Sequence, residues 1–123
     1  MKNTHELGKM GESFAAEYVE RTMGWTILER NWRCQFGELD IVARHNDCIV
    51  AIEVKTRDQR QSFGTGAESV DARKRARLCR LLGVYLDRHI ESSVCEARVD
   101  VIDIVTKRGV VVDFLHVFNA AEW

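Results

Sequence analysis

The stretch GELDIVARHNDCIVAIEVK, Gly37 to Lys55, decides the fold. It holds two apolar, largely β-branched runs on either side of Asn46-Asp47, the composition of two strands joined by a tight turn. Side chains alternate across a strand, so Ile49, Ala51, Glu53 and Lys55 share one face while Val50, Ile52 and Val54 share the other. Glu53 thus lies in a run, IVAIEV, whose two faces both read as buried. Pairing around the turn brings Asp40 beside Glu53. Unpaired charge in such surroundings costs several kcal/mol, so these acids need a partner or a purpose. The plainer alternative is a solvated Asp40 and a Glu53–Lys55 pair on an edge strand, which contributes little. The apolar flanks weigh against it.

Upstream, Trp25 to Arg33 has the character of a strand, and Gly37 marks the turn into Glu38 to His45. With Cys48 to Lys55 these segments form an antiparallel meander. Before them, Asn3 and Glu6 have capping-box spacing, and Leu7, Met10, Phe14, Ala15, Tyr18 and Val19 recur at helical intervals until Gly24 offers a stop. Downstream, the polar segment from Arg57 to Ser69, with Gly64 and Gly66, reads as a mobile loop. A second helix follows from a cap at Ser69, with Leu78, Leu81, Leu82, Tyr85 and Leu86 on its apolar stripe. Two more strands, Arg98 to Thr106 and Val110 to Val117, flank a Lys107-Arg108-Gly109 turn. The order predicts an α/β sandwich around a central mixed sheet flanked by helices, with the second helix as the crossover that parallel strands require.

Composition bounds the rest. At 123 residues, with 46% apolar and 30% charged, the chain is expected to be one domain spanning 1–123. No apolar run approaches the roughly 20 residues of a membrane span, and Met1 to Gly11 lacks the apolar stretch of a secretory signal. Cys34, Cys48, Cys79 and Cys95 are 14, 31 and 16 positions apart with no C-x-x-C pair, which suggests reduced thiols in the cytoplasm rather than a zinc site. His5, His45, His89 and His116 likewise lack metal-ligand spacing, and Trp25 and Trp32 read as core. The net charge of -1 hides a basic segment, residues 55–80, with eight basic residues against three acidic ones. Such a segment can bind a polyanion locally.

Two carboxylates and an ammonium group are complementary parts of metal-dependent phosphodiester hydrolysis. Mg²⁺ takes carboxylate oxygens while keeping several waters, so two acids suffice when a substrate phosphate completes the octahedron. A lysine beside the ion can position the attacking water or shift its proton equilibrium.

The spacing D-x12-E-x-K resembles the PD-D/E-x-K motif of restriction-endonuclease-like nucleases, with Asp40, Glu53 and Lys55 at its positions and Leu39 where the proline usually stands. More closely, the chain resembles the YraN-like family of small bacterial endonuclease-like proteins, related to archaeal Holliday-junction resolvases. The likeness runs through G-E-x-x-A-x-x-Y-V (Gly11 to Val19), R-N-W-R (Arg30 to Arg33), G-E-L-D-I-V-A (Gly37 to Ala43), E-V-K-T-R (Glu53 to Arg57), V-D-x-R-K (Val70 to Lys74) and R-V-D-V (Arg98 to Val101).

That resemblance implies a restriction-endonuclease-like fold, a Mg²⁺ or Mn²⁺ cofactor, and DNA as the substrate, including branched or Holliday-junction DNA. It also implies a helical glutamate ahead of the motif. Periodicity places Glu12 and Glu17 at opposite edges of the apolar stripe and does not choose between them; the motif match favours Glu12. Glu12, Asp40 and Glu53 are then the metal ligands, Lys55 completes the catalytic set, and Glu38 is an acid that supports it. Arg57, Arg60, Arg73, Lys74, Arg75, Arg77 and Arg80 are candidates to hold DNA phosphates, with a solvated helix face as the alternative. Symmetric cutting of two strands leads to the expectation of a homodimer. Two rival readings are a DNA- or recombination-partner-binding module that does not cut, and a structural protein whose acids form a satisfied polar network. Asp100 and Asp103 fall in or near a matching motif with no role derivable from the sequence.

Overall fold

The central hairpin forms where the sequence places it. Strand β2 (Gly37–His45) pairs antiparallel with β3 (Cys48–Asp58), with His45 opposite Cys48 and Asn46 at φ +53 in the turn. The computed structural model describes residues 4–59, 72–89 and 96–121. Around the hairpin lie helix α1 (Thr4–Glu17), a π-helical turn (Tyr18–Thr22), strand β1 (Thr26–Cys34), helix α2 (Ala72–His89), and strands β4 (Glu96–Lys107) and β5 (Val110–Ala121). Asn3, Arg60, the Gly64 to Gly66 segment, the Ser69 cap, Val70-Asp71 and Cys95 lie outside the described residues.

The sheet is five-stranded, in the order β1-β2-β3-β4-β5. Strands β3 and β4 run parallel while the other neighbours are antiparallel, so this is the mixed sheet that the element order predicts, with α2 in the parallel connection. Alternation sorts the core into two clusters. Ile49, Ala51, Val99 and Val101 pack with Leu78, Leu81, Leu82 and Tyr85 of α2 on one face. Val50, Ile52, Ile102 and Ile104 pack with Ala15, Ala16 and Val19 on the other. The fold is an α/β sandwich, with one helix on each face among the described residues, and Trp25 and Trp32 are buried, one in each cluster.

Some boundaries differ from expectation for physical reasons. The first helix does not run unbroken to Gly24: it widens at Tyr18–Thr22, where the Met23 amide donates to the Tyr18 carbonyl at 3.1 Å, and the Trp25 amide closes on Val19 at 3.0 Å. This turn keeps Val19 fully buried while swinging the chain toward β1. Strand β3 continues past Lys55 to Asp58 because β4 pairs alongside it as far as Asp58 opposite Thr106. Strand β5 extends beyond Val117 to Ala121.

Asp100 explains part of that extension. It is fully buried in β4 and accepts hydrogen bonds from Arg98 Nε (2.9 Å), His116 Nε2 (2.8 Å) and the Asn119 amide (2.9 Å). His116 Nδ1 in turn receives the Tyr18 hydroxyl at 2.7 Å, so one carboxylate ties the π-helical turn and the end of β5 to the sheet. Burial would raise this acid, but its hydrogen bonds from His116, Arg98 and Asn119 outweigh burial and hold it below the usual carboxylate range. Among the described residues, no helix is long and apolar enough to cross a membrane.

Candidate active site

The last pair in the β2–β3 register is Ile41 opposite Ile52. Beyond it, β2 runs on beside β1 to Cys34 opposite Gly37, and β3 runs on beside β4. The two strands part, and one register step into this fork stand Asp40 and Glu53. Asp40 fills the gap: its Oδ2 accepts the Val54 amide at 2.9 Å, a donor that the departing strand no longer satisfies. The side-chain alternation of β2 also slips here, since Leu39 and Val42 both belong to the α2-side cluster. Opposite Asp40 in the β1 frame is Asn31, in the left-handed region at φ +54.

Helix α1 delivers the third acid. Gly11 lies so close to β3 that a Cβ there would fall on the Thr56 hydroxyl and within 2.8 Å of Thr56 Cβ. This close approach brings Glu12, the next residue, to the fork. Glu17 is turned away: its side chain is 66% exposed and it pairs with Arg21 at 3.8 Å. With its side-chain amide oriented so that the nitrogen faces the carboxylates, Asn31 links the acids, donating to Glu12 Oε1 at 2.7 Å and to Glu38 Oε1 at 3.0 Å. Glu38 also faces Arg33 Nε at 3.4 Å.

The electrostatics follow from crowding. Burial and the adjacent Glu53 charge push Asp40 up to about 7, with Glu12 adding to the effect and the Val54 amide opposing it. Burial and Glu38 raise Glu12, opposed by Arg30 and Asn31, and Glu53 raises it further. Lys55 moves the other way. Its hydrogen bond with Lys74, its burial and the Lys74 charge lower it, outweighing the pull of Glu53 and Asp40. Lys74 reaches in from α2 and stands 3.6 Å from Glu53 Oε1.

The donor set suits a hard cation: carboxylate oxygens from three elements, with Asp40 and Glu12 crowded enough to hold their protons above the usual range. Among the described residues, no three acids, histidines or cysteines already converge as in a finished metal cage. Asp40 leans to Val54 and Glu53 to Lys74. Mg²⁺ sites with one or two carboxylates, waters and a substrate phosphate do not need such a cage.

The other candidate residues divide. Arg73, Arg75, Arg77 and Arg80 are exposed on α2. Lys74, also a candidate to hold DNA phosphates, stands at the fork beside Glu53. Arg57 is turned to the buried Asp103, with Nη2 2.9 Å from Oδ2. The parallel register explains that pair, since Asp103 is opposite Lys55, two residues from Arg57 and on its face of β3. Asn31 and the site position of Lys74 are absent from a reading of spacing. Their one sequence signal is that each lies within a family-like motif, R-N-W-R and V-D-x-R-K.

A forked mixed sheet with a helix on each face, and an acid, a second acid and a lysine at the fork, has the layout expected of a restriction-endonuclease-like α/β fold. The model of the family described as "Uncharacterised protein family UPF0102" matches residues 11–104, and the chain belongs to this family, the YraN-like family of the motif comparison. A UPF0102 protein of Chloroflexus aurantiacus (strain ATCC 29366 / DSM 635 / J-10-fl) is 42% identical over 114 residues, covering 93% of this chain and 91% of its own. Another, from Dictyoglomus thermophilum, is 35% identical over 119 residues, covering 96% and 98%. A third, from Moorella thermoacetica, is 54% identical over 79 residues, covering 64% of each chain.

Proposed function

We propose that this chain is a Mg²⁺- or Mn²⁺-dependent DNA endonuclease that hydrolyses phosphodiester bonds, with branched or Holliday-junction DNA as its preferred substrate. One observation carries the reading: acids from α1, β2 and β3 and lysines from β3 and α2 meet in one half-buried fork, where burial and the neighbouring acids raise Asp40 and Glu12 and one lysine lowers the other. Structural ion pairs have the opposite signature, each partner stabilising the other's charge.

In this reading Glu12, Asp40 and Glu53 hold the ion, Glu38 supports Glu12 through Asn31, and the bound ion supplies charge stabilisation at the phosphate and a more acidic water. Lys55, its proton already loosened by Lys74, would in its neutral form take a proton from the attacking water and pass it to solvent, while the leaving oxygen of the cut strand would draw its proton from solvent. Lys74 swings from Glu53 to a substrate phosphate. The exposed arginines of α2 hold the backbone without reading sequence, which makes affinity dependent on salt. A homodimer presents two such sites to two strands. The setting is the cytoplasm, in keeping with the free thiols of Cys34 and Cys48.

The second reading, a DNA- or recombination-partner-binding module that does not cut, draws on the Lys74–Glu53 pair, which gives Glu53 a resident cation. Cleavage assays on labelled Holliday junction, flap, single-stranded and linear duplex DNA decide between them. The nuclease reading expects cutting that needs Mg²⁺ or Mn²⁺ and is lost in Asp40→Ala and Glu53→Ala. Binding without cutting under either metal favours the module.

A further inference from the structure

A groove outside the fork has the chemistry of a single-strand platform. It encloses about 670 Å³ between α2 and the turn joining β1 to β2. Leu81 and Val84 are among its lining, Phe36 contributes an aromatic ring, and Arg77, Arg80 and Arg88 supply three guanidinium groups. Among the described residues, Asp87 is the one acid in the lining. Phe36 is 59% exposed, unlike the buried Trp25 and Trp32. The turn is held against the helix at Gly37, where a Cβ would come within 3.2 Å of Leu81 Cδ1. The ring is therefore presented beside the cationic face of α2 by a close backbone contact.

Two elements lead from this groove into the fork. Asp40 lies four residue steps from Phe36 along β2, about 13 Å of strand. Arg77 and Arg80 stand one and two turns along α2 from Lys74, about 4.5 and 9 Å of helix rise. A strand whose phosphate lies at the fork can thus continue along α2 for a few nucleotides and lay a base on Phe36.

We infer that the Phe36–Arg77–Arg80–Arg88 groove binds unpaired DNA next to the scissile phosphate, and so selects substrates with a single-stranded segment beside the cut. An aromatic face with flanking arginines gives affinity for any base, by stacking and by charge, with no reading of sequence. Net positive charge around an exposed ring also suits an acidic peptide. The nucleic acid is favoured because three guanidinium groups outnumber the one acid in the lining, and because β2 and α2 each run from the lining to a residue of the fork, Asp40 and Lys74. This inference rests on the nuclease reading for what lies at the fork, but the binding step can be measured without cleavage.

The test is fluorescence anisotropy with a short labelled oligothymidylate, without divalent ions, on the full chain and on Phe36→Ala, Phe36→Leu, Phe36→Trp and Arg80→Ala. Loss of one stacked base is expected to weaken binding roughly 5- to 100-fold in Phe36→Ala and Phe36→Leu, while Phe36→Trp retains it. Arg80→Ala should weaken binding and lower its salt dependence. Thermal melts that match wild type exclude misfolding, as an exposed turn residue predicts. Equal oligothymidylate affinity in Phe36→Ala overturns the inference, as does polyglutamate competing as well as unlabelled oligothymidylate. The two readings fail separately. Phe36-dependent binding with no cleavage in any metal keeps the groove and removes the nuclease. Cleavage of flap and duplex at an unchanged ratio in Phe36→Ala keeps the nuclease and removes the groove.

Discussion

Asp40 is the residue on which the site turns. A carboxyl raised to about 7 keeps its proton in the folded chain across a pH range where the unfolded chain has released it. The folded state then binds more protons than the unfolded state between about pH 4 and 7, so stability of the metal-free protein falls as pH rises through that window. Asp40→Asn removes the ionisation. It is expected to flatten the decline and to raise stability at pH 8 by on the order of 2 kcal/mol, as urea unfolding at pH 5 and pH 8 would show. Lys74 gives a second prediction. Removing it as Lys74→Ala takes away the hydrogen bond and charge that lower Lys55, so Lys55 becomes more basic. If Lys55 works in its neutral form, the rising limb of the cleavage pH profile should move to higher pH in this variant.

Among elements, the contact of α1 with β3 sets the geometry of the fork. Alanine is normally preferred to glycine within a helix by about 1 kcal/mol, but at Gly11 an added Cβ meets the short, branched Thr56 side chain. Gly11→Ala should therefore destabilise the protein by roughly 1–3 kcal/mol and reduce cleavage by displacing Glu12, with Thr56→Ala restoring part of both. The urea midpoint and the cleavage rate of the single and double variants measure this.

The same elements show what a sequence conveys. The hairpin and the nearness of Asp40 to Glu53 were legible because they follow from a period of two and one short turn. The fork itself was not, since the parting of two strands depends on which neighbours each keeps, β1 and β4. Asn31 was hidden by its left-handed backbone, which breaks the alternation that reading relies on. Lys74 looked like one of several surface cations because the distance from α2 to β3 is set by packing. Glu12 could be told from Glu17 only by a motif; in the structure, Gly11 supplies the reason.

At the scale of the molecule, near-neutral net charge and a locally basic helix imply modest, salt-sensitive affinity for nucleic acid. Arg73 and Arg75 are exposed on α2. Arg73→Glu and Arg75→Glu should each weaken binding to every DNA form and lower the log-log salt slope by about 1, leaving metal binding unchanged. The central claim is that the acids of the fork make one divalent-cation site, and calorimetric titration of Mn²⁺ at pH 8 into wild type, Asp40→Asn and Glu53→Gln addresses it directly. Saturable binding to wild type is expected, strengthening from pH 6 to pH 8 because the ion must displace the Asp40 proton, and lost in both variants. Absence of binding to wild type, or binding that survives in both variants, would contradict it.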